Sequence, residues 1–141
     1  MSALTYSWFM EARTLHAPLD ALSAANRPQG IEIATLTTFD IPALAVLTLE
    51  AYDDAVTPEA LLETSEELRL TFEGAFGATT EDSFVGAWDG GTLIGAILVV
   101  RESPWDDAPD GPFVVDLIVA PDYRRRGIAT ALVSEVATRC T

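Results

Sequence analysis

Residues 112–130 read PFVVDLIVAPDYRRRGIAT. The first nine, Pro112 to Ala120, are apolar on both faces apart from Asp116, as in a strand buried within a sheet. Pro121 ends that strand. From Gly127 the period changes. Ile128, Leu132, Val136 and Cys140 recur at four-residue spacing, the stripe of an amphipathic helix. Between strand and helix stand Arg124, Arg125 and Arg126. The chain carries 22 acidic and only 8 basic residues, with no lysine, so three of its eight arginines gather at one turn. Positive charge at a helix N-terminus opposes the helix dipole, by roughly 0.3–1 kcal/mol per charge. The cluster makes sense where an anion sits. Unsatisfied helix N–H groups and cations then act on it together, and phosphate is the natural candidate. Gly127 permits close backbone approach. The competing reading is a set of surface arginines that pair with acids such as Asp122.

Composition narrows the field. The 141 residues suit one domain, and 49% of them are hydrophobic, which rules out a disordered chain. A net charge of −14 argues against general nucleic-acid binding. It favours cationic partners such as amines, or simple solubility. No apolar run reaches the roughly 18 residues of a membrane span. The N-terminus lacks the pattern of a signal peptide, so a cytoplasmic location is expected. One cysteine, Cys140, permits no internal disulfide, and one distant histidine, His16, makes a metal site improbable. Neither G-x-G-x-x-G nor a P-loop is present, so dinucleotide and nucleoside-triphosphate readings lose their support.

Working outward, IEIATLT (31–37) alternates as a strand. Asp40 is read as the cap of a helix running to about Ala55. Thr57-Pro58-Glu59 restarts a helix that extends to about Phe76. Residues 83–103 form a hairpin turning at Asp89-Gly90-Gly91, and 103–111 is a Pro/Asp/Gly loop. The order from residue 31 is β-α-α-β-β-β-α. Residues 1–30 show no clean period and are read as an N-terminal extension that adds a short helix or strand.

The stretch VVDLIVAPDYRRRGIATALV resembles the acetyl-CoA-binding motif of the GNAT superfamily of N-acetyltransferases. That pattern is a strand ending V-x-P, an aromatic, then [QR]-x-x-G-x-[GA]. It is met by Val119-Ala120-Pro121, Tyr123 and Arg124-Arg125-Arg126-Gly127-Ile128-Ala129. The resemblance covers about residues 31–141. It implies an α+β fold with three α/β/α layers around a mixed central sheet, and direct acetyl transfer from acetyl-CoA, the co-substrate, to an amine. By the same resemblance, the backbone at Leu117, Ile118 and Val119 holds the pantetheine arm. The amides from Arg124 to Thr130 (Arg124, Arg125, Arg126, Gly127, Ile128, Ala129, Thr130) cradle the pyrophosphate, with the side chains of Arg124 and Arg125 adding charge.

Asp116 is the candidate base by position, because partial burial in a strand raises a carboxyl pKa. A structural or substrate-orienting carboxylate is the competing reading. Some family members carry a catalytic Glu earlier on this strand, but here the position is Phe113. Tyr52, Asp53 and Asp54, near the junction of the first two helices, are candidates for holding a cationic amine. Trp105 and the acids of the 103–111 loop are weaker candidates.

Family members continue beyond the motif helix with a further strand, a helix and a final pair of strands, which form the other wall of the CoA cleft and often carry a Tyr that protonates the thiolate. The sequence here stops at Thr141, which would leave strand 112–120 at a bare edge open to pairing. Three explanations fit: a fragment of a longer protein, which is preferred; a second chain, as in a homodimer, completing the sheet; or residues 1–30 filling the gap. The leading function is an N-acetyltransferase acting on a small-molecule or protein amine. The alternative is a non-catalytic CoA-binding or interaction module.

Overall fold

The computed structural model describes residues 28–102 and 111–140 in full, and the backbone of two strands before them. Strands β1 (Ala3–Trp8) and β2 (Arg13–Pro18) form an antiparallel hairpin. Then come β3 (Glu32–Thr35), a 3-10 turn at Thr38–Asp40, α1 (Ile41–Ala51) and α2 (Pro58–Phe72). Next are β4 (Phe84–Asp89), β5 (Thr92–Val100) and β6 (Phe113–Val119), a 3-10 turn at Pro121–Tyr123, and α3 (Ile128–Cys140). From β3 onward the order is the β-α-α-β-β-β-α expected.

Local chemistry sets the helix ends. Thr57 accepts a hydrogen bond from the Ala60 N–H at 3.1 Å, so α2 begins where the Thr-Pro-Glu signal places it. Asp40 is the N-cap residue of α1, as expected, but its side chain makes no capping bond there; its carboxylate accepts from the Thr37 N–H at 2.8 Å and closes a capping box around the preceding 3-10 turn. Both helices end about four residues early. At the end of α1 Asp53 adopts a left-handed φ of 58°, and at the end of α2 Gly74 sits at φ 93°.

The six strands run in the order β2-β1-β6-β5-β4-β3. Strands β3 to β6 pair antiparallel. Strand β5 lies at the centre, and Leu93 to Val100 are all buried, which requires cover on both faces. Helix α1 packs over one face with α2 against it, and α3 covers the other. Gly95 brings α3 close: a Cβ there would lie 3.0 Å from Ile128 Cγ2. Ile128, Leu132 and Val136 fill that interface, as their spacing predicts.

The bare edge predicted for β6 is covered at the start of the strand. Strand β1 lies along it, parallel, with Thr5 opposite Phe113 and Tyr6 opposite Val114. Residues 3–18 therefore extend the same sheet and make it mixed. The reason for invoking a second chain at that edge disappears where β1 sits. Trp105 and the acids between 103 and 110 lie outside the described residues, as does the His16 side chain.

Candidate active site at the end of strand β6

Beside β5, Leu98 faces Asp116 while Val99 faces Val114, so Val115 is an extra residue on β6, a β-bulge. Bulges bend and twist a strand locally. The pairing of β6 with β1 stops at Val114, directly before this bend. Beyond it, among the described residues, β6 keeps β5 on one side only.

The polarity of that free edge follows from strand alternation. Ala120 donates its N–H to the Ile94 carbonyl at 2.8 Å. The peptide groups of Ala120, Ile118 and Asp116 therefore face β5, and those of Leu117 and Val119 face the open side. Of the three backbone positions expected to meet a ligand, Leu117 and Val119 face that side, where the Leu117 N–H bonds the Asp116 carboxylate and the Val119 carbonyl accepts from Arg124. Ile118 is turned inward and its side chain is buried.

Asp116 stands at the head of this edge. Its Oδ1 accepts a hydrogen bond from the Tyr52 hydroxyl at 2.5 Å. Tyr52 follows the last turn of α1 and is 56% exposed. Burial pushes the Asp116 carboxyl above the usual carboxylate range; the bonds from the Tyr52 hydroxyl and the Leu117 N–H offset part of that rise. The Tyr52–Asp116 contact joins elements 64 residues apart, which no sequence period reveals. The signal available was a tyrosine at the end of the first helix, read only as an amine-binding candidate.

The turn after β6 separates the three arginines. Arg124 donates from Nε to the Val119 carbonyl at 3.1 Å, and from a terminal nitrogen to the Ala51 carbonyl at 2.6 Å. Its guanidinium fastens the C-terminal end of α1 to the end of β6 and is engaged by backbone carbonyls. Arg126 lies 5.0 Å from the centre of the Tyr123 ring. The Tyr123 hydroxyl donates to Asp89 Oδ2 at 2.5 Å, which ties the turn to the β4–β5 hairpin. Arg125 is different. It adopts a left-handed φ of 64° and, like Arg124, lines a concavity of about 210 Å³ with Val119, Gly127, Ala129 and Thr130.

The first helical bond of α3 is from the Ala131 N–H to the Gly127 carbonyl, at 3.0 Å. The N–H groups of Ile128, Ala129 and Thr130 thus precede any helical acceptor and line the same hollow. Gly127 sits at φ 80°, and a Cβ there would meet nothing within 4 Å, so the conformation and not crowding calls for glycine. Helix N-terminal donors and two arginines around a hollow fit a pyrophosphate. Three residues of strand separate Val119 from Asp116, about 10 Å. A ligand held at the turn would reach the carboxylate along the open edge.

Asp53 and Asp54 do not join this group. With Glu50 and Asp122 they line a separate hollow of about 670 Å³ between α1 and the start of β5, which neither Tyr52 nor Asp116 lines. Among the described residues no helix is long and apolar enough to cross a membrane, and no group of three or more potential metal ligands occurs.

The fold and the motif turn lead to a family. A model of the acetyltransferase (GNAT) family matches residues 47–141, two-thirds of the chain, and the protein belongs to that family. A putative acetyltransferase from Pyrococcus horikoshii shares the fold at a TM-score of 0.64 and 16% identity, over 83% of this chain and 37% of that one. A ribosomal-protein-alanine N-acetyltransferase from Brucella melitensis aligns at 0.55 and 19%, over 77% of this chain and 70% of its own. No curated protein is significantly similar in sequence.

Proposed function

We propose that the protein transfers an acetyl group from acetyl-CoA to a primary amine of a small molecule or a protein. The observation that carries this reading is the continuous path from the donor-lined hollow at Arg125–Thr130, along the open Leu117–Val119 edge, to Asp116. The hollow holds the pyrophosphate, and the edge directs the acyl arm towards the carboxylate. A free amine attacks the thioester carbonyl carbon. The tetrahedral oxyanion collapses, the C–S bond breaks, and the thiolate leaves and takes up a proton. The nitrogen gives its surplus proton to Asp116, directly or through one water. An elevated carboxyl pKa suits that step, because a base works best with a pKa close to the working pH. Tyr52 holds Asp116 in place through its hydroxyl.

The Tyr52–Asp116 pair also favours an enzyme over a non-catalytic CoA-binding module. A raised carboxylate held at the head of a ligand path adds nothing to pyrophosphate binding. The test has two stages. Titration calorimetry with acetyl-CoA is expected to show saturable binding, and a panel of amines is then screened for release of free thiol. Binding with no thiol release for any amine would support the module instead. Absence of binding by the folded chain would overturn both readings.

A further inference from the structure

The resemblance places the second wall of the CoA cleft in sequence that follows the motif helix. In this protein the strand lying parallel to β6 comes from residues 3–8. Its geometry has the features such a wall needs. β1 and β6 run in the same direction and are paired only at Thr5–Phe113 and Tyr6–Val114. Both continue past the last pair, β1 to Trp8 and β6 to Val119, without pairing to each other. The parting coincides with the bulge at Val115.

Two parallel strands that separate at their C-terminal ends leave a slot with a peptide edge on each side. On β6 that edge presents Leu117 and Val119. On β1 alternation turns the N–H and C=O of one of Ser7 and Trp8 towards β6, while the neighbour faces β2. An extended chain containing amides fits such a slot as a strand fits a sheet, by donating and accepting on both edges. The acyl arm of CoA is a chain of that kind, with two amide groups.

We propose that the N-terminal hairpin is the second wall of the acyl-CoA cleft, and that the backbone at Ser7–Trp8 contacts the arm of the bound coenzyme. This rests on the acetyl-CoA reading above. It makes β1, outside the stretch matched to the family, a working part of the binding site.

Hydrogen–deuterium exchange on the full chain, with and without saturating coenzyme A, tests it. Amides of the site are expected to slow by up to about 100-fold at a ligand concentration 100 times Kd. That slowing should appear in residues 5–8 together with 117–119 and 125–130. Strand β2, the outer strand of the same hairpin, is the internal reference, and its slowing should be clearly smaller. Slowing at 117–130 with residues 5–8 unchanged, or changed no more than β2, would overturn the hairpin wall and leave the acetyl-CoA reading intact. No slowing anywhere would overturn the acetyl-CoA reading, and the wall with it.

Discussion

Phe113 and Val114, at the start of β6, are paired on both edges and almost wholly buried; Asp116 to Val119, at its end, are paired to β5 alone, and three of those four remain partly exposed. The two halves belong to one strand and differ by a single inserted residue, Val115. Before the bulge, each backbone group has a neighbouring strand and each side chain adds to the core. After it, alternate peptide groups are left for something other than the sheet. Valine therefore stands in the core at Val114 and partly exposed at Val119. The difference follows from which edges are covered.

The widest separation of the halves should come from Phe113→Ala. Phe113 is 1% exposed, so its truncation is expected to cost about 3–5 kcal/mol of stability, read by chemical denaturation. Leu117→Ala, in the open half, should cost visibly less. Equal losses would break the distinction.

Asp116→Asn is the converse change. It should lower turnover about 10²-fold or more while CoA affinity, by calorimetry, stays the same. It should also alter the pH dependence of stability in a defined direction. Because the folded-state pKa is raised, the wild type gains stability when the carboxyl is protonated and loses it as pH rises from the unfolded value through the folded one. The Asn variant should lose that slope. A variant with normal turnover would assign the carboxylate to structure.

Arginine neighbours offer a finer comparison. Arg125→Ala should weaken CoA binding about tenfold and reduce its salt dependence, since one charge-assisted contact is removed from the hollow. Arg124→Ala should act mainly on thermal stability, because its guanidinium holds two carbonyls of the protein. The smallest effect is expected from Tyr52→Phe. The hydroxyl bond holds the Asp116 pKa down, so its loss should move the acid limb of the pH–rate profile to higher pH. A scaled-down profile with an unmoved limb would separate Tyr52 from the base.

Much of this fold was legible because its signals are local. The Asp-Gly-Gly turn, the Thr57-Pro58 start and the four-residue stripe from Ile128 each depend on neighbours within one or two turns, and each was found where expected. What escaped depended on distant partners. Residues 3–8 carry no clean alternation, and their place is set by pairing with residues more than a hundred positions away. Within the site, the motif located the turn and Asp116. It could not divide the arginines, because Arg124 is distinguished only by the α1 carbonyl that folding brings beside it.

The pairing of β1 with β6 also orders events in time. A ribosome makes Thr5 well before Phe113, so β1 waits for β6 before it has this place in the sheet. Until then the hairpin can form only its local β1–β2 ladder. Closing so distant a contact is slow compared with forming adjacent ones. The four-strand body from β3 to β6 can assemble first, with the N-terminal hairpin docking as the final step of folding.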